Sequence, residues 1–168
     1  NRLTREILPS VLLANDPARS YLPSSPFISK PIADKAANDR SISPPENHFY
    51  IWDGFYKDGA AGKKRMIFAS EFGSICMPSP ESMKKYISPE KLWTGKNIND
   101  EWLQHCTSPV PETRENTFRP MVPFLYAENM FDGKVNSLKE LAVKSQIAAC
   151  ECDKYYFELF RSQKWQKT

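Results

Sequence analysis

The segment from Ser137 to Arg161 constrains the fold most. Ser137 followed three residues later by Glu140 is the pattern of a helix start, in which hydroxyl and carboxylate each cap a backbone N–H. Leu141, Ile147, Ala148, Tyr155, Leu159 and Phe160 then supply much of an apolar stripe at helical spacing, so a long amphipathic helix is expected here.

Upstream, Arg2 to Asn15 sets Leu3, Ile7, Leu8, Val11 and Leu12 close to the i, i+3, i+4 pattern, with Pro9 inside it and Asn15-Asp16-Pro17 as a stop. Three short runs then read as strands: Arg19–Pro26 running into a polar turn, Asn47–Trp52 closed by Asp53-Gly54, and Arg65–Ser70. Ser29–Pro45 and Asp58–Lys64 read as polar connections. From Pro78 to Pro123 the chain looks irregular, with one short helix between Ser79 and Tyr86. Short strands punctuated by helices predict an α/β organisation with parallel strands.

Composition narrows the function classes. The 168 residues suit one domain with a core, and 23 basic against 20 acidic side chains leave a net charge of +3, too small and scattered for a nucleic-acid binder. No apolar run approaches the roughly 20 residues needed to span a bilayer, and Asn1-Arg2-Leu3-Thr4-Arg5 lacks a signal-peptide pattern. The chain opens without Met, so a cut end is expected, and a cytoplasmic setting is the default. Cys76, Cys106, Cys150 and Cys152 read as thiols in a reducing compartment. Cys150 and Cys152 would point to different faces of a helix, and with no clustered His the expectation is no metal and no cofactor.

One acid stands out. Met66-Ile67-Phe68-Ala69 suits a strand covered on both faces, and Glu71 falls at its C-terminal end, where α/β folds bind ligands. On pattern alone the plainer reading of Glu71 is a solvated loop acid or a helix cap. Tyr50 and Trp52 alternate with Ile51 and share one face of their strand, where they could face a ligand or pack into a core.

Read together, Arg19-Ser20-Tyr21-Leu22-Pro23-Ser24-Ser25-Pro26, Glu46-Asn47-His48-Phe49-Tyr50 and Arg65-Met66-Ile67-Phe68-Ala69-Ser70-Glu71-Phe72-Gly73 resemble, in order and spacing, later strands of the catalytic domain of glycoside hydrolase family 2, in its β-mannosidase-like branch. Tyr155-Tyr156-Phe157-Glu158-Leu159-Phe160-Arg161-Ser162-Gln163-Lys164-Trp165 is similar to the last long helix of that domain, so the resemblance covers essentially the whole chain. It implies part of a (β/α)8 TIM barrel: strands five to seven with their helices and a long loop after strand seven. A full barrel takes about 250 residues, so residues 1–168 would be a partial catalytic domain truncated at both ends. The first half of the barrel, its last strand and flanking β-sandwich domains would then lie elsewhere in the same polypeptide.

The resemblance also implies a retaining exo-β-glycosidase acting on β-mannosides, with β-glucosaminides and β-galactosides as alternatives and a non-catalytic carbohydrate-binding or structural segment as the rival. Retaining hydrolysis uses two carboxyl groups about 5 Å apart, one protonating the leaving oxygen and one attacking the anomeric carbon. By resemblance Glu71 is the nucleophile, and the acid/base lies upstream of Asn1. A nucleophile must be ionised, so hydrogen bonds or positive charge are expected around Glu71, His48 first among them. His48, Tyr50, Trp52, Ser25 and Trp93 are the expected substrate-binding residues. For Ser24 and Ser25 turn formation before Pro26 is the plainer role, and Trp93 and Trp102 could equally staple the long excursion. The chain departs from the commoner bacterial pattern at Tyr50, where Trp is usual, and at Ile75-Cys76-Met77, which leaves sugar preference open.

Overall fold

Helices dominate the chain. The computed structural model describes residues 1–38, 46–50, 68–106, 119–162 and 164, and these fall into two units. The first holds residues 1–38, 46–50, 68–72 and the last turn of the final helix from Leu159; the second holds residues 73–106 and 119–158.

The first unit begins with one π-helical turn, Leu3–Ile7, leading into α1, Leu8–Asn15. The wide turn is closed by the Leu8 N–H on the Leu3 carbonyl, just before Pro9, which has no N–H to offer and so sits best at a helix start. No residue of Leu3–Asn15 is buried, and Leu3, Ile7, Leu8 and Val11 of the expected apolar face are exposed. The stretch expected as strand five, Arg19–Pro26, forms turns and bends, with a cis peptide at Ser25–Pro26. Helix α2, Lys30–Asn38, occupies part of the expected loop. Its start is held by the Ser29 carbonyl, which accepts from the Ile32 and Ala33 N–H groups, and Pro31 is tolerated in a first turn whose N–H groups have no helical partner.

Strands β1, Glu46–Tyr50, and β2, Phe68–Gly73, pair as one two-stranded sheet. The expected segment of a (β/α)8 barrel with strands five to seven is therefore overturned: among the described residues one strand pair stands within a mostly helical chain. Nor is β2 covered on both faces, since Phe68 is 60% exposed. Glu71 lies within this strand rather than beyond its end. Phe72 meets Phe160 of the final helix edge-on, with ring centroids 5.3 Å apart.

The second unit is helical among its described residues apart from the end of β2. Helix α3, Pro80–Met83, lies where a short helix is expected, while α4, Asp100–Cys106, and single 3-10 turns at Pro89–Lys91 and Arg119–Met121 stand within the described part of the stretch expected to be irregular. Prolines explain the reading and the outcome together. Pro80 and Pro89 break any long periodicity, yet each sits at a helix start, where a fixed φ favours the first turn. Helix α5, Val122–Phe131, ends at Asp132 in the left-handed conformation, and Gly133 N–H returns to the Glu128 carbonyl at 3.3 Å.

Helix α6, Leu138–Ser162, starts as expected. The Ser137 hydroxyl accepts the Glu140 N–H at 3.1 Å, and the Glu140 carboxylate takes the N–H of Asn136 at 2.9 Å. Its buried face is Leu138, Leu141, Ala142, Ser145, Ala148, Ala149, Cys152 and Tyr156. Leu138, Leu141 and Ala142 join Met77, Met83, Ile87, Trp102 and Phe124 in one core. Ser145 and Gln146 hold the chain at Met77, Ser145 Oγ accepting its N–H at 3.1 Å and Gln146 donating to its carbonyl at 2.8 Å. No helix among the described residues is long and apolar enough to cross a membrane.

Candidate functional site

The first unit gathers a connected set of polar side chains. Glu46, His48 and Tyr50 alternate along β1, which puts them on one side of the strand. Consecutive residues of β2 meet them, Ser70 at Glu46 and Glu71 at His48 and Tyr50. Ser25, exposed in the turn before Pro26, completes the set.

Both oxygens of Glu71 are engaged. Tyr50 donates its hydroxyl to Oε2 at 2.7 Å, and His48 Nε2 stands 3.3 Å from Oε1. The Glu71 side chain is nevertheless 50% exposed, so its carboxylate is held in place while remaining open to solvent. The rings of His48 and Tyr50 stand nearly perpendicular, 6.3 Å apart. Each oxygen thus faces its own ring-borne partner, which fixes the orientation of the carboxylate.

Glu46 is the opposite case, a carboxylate at 2% exposure. It accepts from the Ser25 hydroxyl at 2.6 Å, from the Phe27 N–H at 2.5 Å and from the Ser70 hydroxyl. The Ser25 and Ser70 hydroxyls hold it below the usual carboxylate range against the opposing effect of burial, helped by the Phe27 N–H and the nearby His48. A buried carboxylate so held stays ionised, which suits it to orient donors and not to deliver a proton. Sequence reasoning quoted Glu46 and Ser70 within their motifs but gave neither a role. The available signal was alternation, since Glu46 shares the register of His48 and Tyr50.

The same distances keep Ser25, His48 and Glu71 from acting as a Ser-His-acid relay. Ser25 Oγ is 3.0 Å from His48 Nε2, and Glu71 approaches that same nitrogen. A Ser-His-acid relay needs the acid on the opposite ring nitrogen from the serine.

Of the expected site residues, Glu71, His48, Tyr50 and Ser25 come together here. Trp52 lies outside the described residues. Trp93 stacks on Phe124 in the second unit at 6.0 Å, partly buried against that core. Trp102 is 1% exposed, donates its ring N–H to the Lys91 carbonyl at 3.1 Å, and is a core residue. Ser24 donates its hydroxyl to the Pro26 carbonyl at 3.4 Å, within its own bend. Glu101, at the start of α4, accepts from the Ser88 N–H and hydroxyl at 2.7 and 2.8 Å, so it ties α4 to the preceding turn.

The second unit also has a mainly apolar cavity of about 260 Å³, bordered by Met77, Met83, Tyr86, Trp102, His105 and Cys106. Burial raises the Cys106 thiol, so it is a poor nucleophile there. No cluster of His, Cys, Asp and Glu suited to a metal occurs among the described residues. No protein-family model, curated protein or solved structure matches the chain.

Proposed function

We propose that this chain is part of a retaining exo-β-glycosidase, with Glu71 as the nucleophile that forms the glycosyl-enzyme intermediate. The observation that carries the reading is the pair of partners on Glu71: Tyr50 on one oxygen and His48 beside the other, around a carboxylate still open to solvent. A carboxylate nucleophile must reach an anomeric carbon in one orientation, and fixing both of its oxygens supplies that orientation in advance. The resemblance of the three motifs to glycoside hydrolase family 2 supports the same assignment and favours β-mannosides, with β-glucosaminides and β-galactosides as alternatives. Four free cysteines suit a reducing, cytoplasmic setting.

Retaining hydrolysis also requires a proton donor on the far side of the scissile bond. Glu46 does not serve, because it is buried and held ionised. The resemblance puts that donor elsewhere in a longer polypeptide, and on this reading the 168-residue chain alone is expected to be inactive. That same property of Glu46 favours one rival, a carbohydrate-binding segment that performs no chemistry.

The deciding experiment uses the complete polypeptide and a 2-fluoro-β-mannosyl inactivator with a good leaving group. Peptide mapping should find the sugar on Glu71. Attachment to another carboxylate refutes the assignment, and stoichiometric binding of mannoside without any covalent adduct or turnover favours the binding segment.

A further inference from the structure

We infer that Glu46 is a positioning residue that, through the Ser25 hydroxyl, keeps the proton of His48 on Nε2, the nitrogen facing Glu71. The functional importance of this rests on the reading of Glu71 as nucleophile; the proton placement itself does not.

The inference follows from counting protons. An ionised carboxylate accepts only, so each group within hydrogen-bond distance of Glu46 must donate to it. Ser25 has a single hydroxyl proton, and at 2.6 Å from Glu46 Oε1 that proton is committed there. At its other contact, 3.0 Å from His48 Nε2, the Ser25 oxygen can then only accept. Nε2 must carry the hydrogen. The same nitrogen lies 3.3 Å from Glu71 Oε1, an ion-pair distance, so the hydrogen on Nε2 also turns the positive end of the N–H dipole toward that carboxylate. In the other tautomer a bare nitrogen lone pair would face a carboxylate, and Glu71 would lose the donor that complements Tyr50.

The substitution Glu46→Gln reverses this order in a defined way. The Phe27 N–H is fixed in the backbone and demands an acceptor, whereas the Ser25 and Ser70 hydroxyls can rotate. The Gln carbonyl will therefore face Phe27 and its NH2 will face the serines. Ser25 then accepts from the amide, and its released proton turns to His48 Nε2.

The test reads the imidazole tautomer by long-range 1H–15N NMR of the 168-residue chain with labelled histidine. The chain has two histidines, and His105→Gln identifies the signals of His48. With the imidazole neutral, the unsubstituted chain should show His48 with its hydrogen on Nε2; a hydrogen on Nδ1 overturns the inference without any variant. Glu46→Gln should move the majority of His48 to the Nδ1–H form, and adding Ser25→Ala should return it to Nε2–H. A Glu46→Gln chain that stays folded with His48 unchanged also overturns it.

A purely structural role for Glu46 would alter stability but leave the tautomer alone. In the complete polypeptide, Glu46→Gln should lower kcat about 100-fold with KM nearly unchanged, and the double variant should recover about a tenth of the original rate. Absence of glycoside turnover in the unsubstituted protein would remove the glycosidase reading while leaving the NMR result to decide this one.

Discussion

Tyr50 donates its hydroxyl to Glu71 Oε2 across 2.7 Å, linking adjacent strands through a phenol and a carboxylate. Tyr50→Phe keeps the ring and removes only this bond. A hydrogen bond to a charged group contributes about 1.5–3 kcal/mol. On the proposed reading of Glu71 as a nucleophile, steady-state kinetics of the glycosidase should therefore show kcat reduced about 10- to 100-fold, with stability little changed. An unaltered kcat would exclude Tyr50 from a part in orienting Glu71 for that role.

The buried carboxylate of Glu46 gives stability its own pH dependence. Its folded pKa lies below the ordinary value of 4.5 because Ser25, Ser70, the Phe27 N–H and His48 favour the ionised form. A depressed carboxylate contributes stability that is fully present above its unfolded pKa and is lost as pH falls through the folded value. Urea denaturation at neutral pH should rank Glu46→Gln below the unsubstituted chain, with the gap narrowing as pH drops below 4.5. A gap independent of pH would contradict the ionised state of Glu46.

Trp102 is 1% exposed and stacks on Phe124 with centroids 6.5 Å apart. Trp102→Ala removes the largest buried side chain of the second unit and leaves the Lys91 carbonyl without its indole donor. Denaturant titration should record a loss of about 3–5 kcal/mol. A loss below about 1 kcal/mol would mean that this core collapses around the gap.

Gly73 ends β2 with φ of +140°, a region that side chains disfavour, and an added Cβ would stand 3.3 Å from Asp153 Oδ1. Backbone strain of this kind costs on the order of 1–3 kcal/mol. Gly73→Ala should lower the denaturation midpoint accordingly, and an unchanged midpoint would refute the strained geometry.

Two cysteines on α6 should differ in reactivity. Burial pushes the Cys152 thiol up to about 11, while Cys150 two residues earlier is exposed. Alkylation at mildly alkaline pH, followed by mass spectrometry, should modify Cys150 well before Cys152. A thiol whose folded pKa is raised stabilises the fold below its unfolded pKa, near 9.0, and that contribution is lost as pH rises through about 11. Equal labelling of both positions in the folded chain would argue against the burial of Cys152.

Local signals were legible where the chemistry is local. The start of α6 could be read because Ser137 and Glu140 cap backbone groups within the same turn. Its buried face was less readable. Ile147 was counted into the apolar stripe but is 44% exposed, while Ala142, Ser145 and Ala149 face inward. Small residues let a neighbouring segment approach closely, and hydropathy alone does not register that. Helix α2 was hidden by Pro31 and polar neighbours, since a proline at a helix start looks like a break until the hydrogen bonds from the Ile32 and Ala33 N–H groups to the Ser29 carbonyl are seen.

What the sequence determined by itself about this protein is therefore local: the capped start of α6, the helical character of Arg2–Asn15, and a strand register that sets His48 and Tyr50 on one side. Resemblance singled out Glu71, His48, Tyr50 and Ser25 as a group but carried with it a barrel that the helical chain does not form. Only the tertiary structure decided that Glu46 and Ser70 belong with them, that Trp93 and Trp102 pack in the core of the second unit, and that Glu71 is solvent-open while Glu46 is buried. The physical reason is distance along the chain. Ser25 and Ser70 are separated by 45 residues and meet at 3.0 Å. Propensity and periodicity act over a few turns and cannot specify such a meeting, whereas burial of one charged carboxylate requires it, because the donors that keep Glu46 ionised come from two segments far apart in the chain, Ser25 with Phe27 and Ser70.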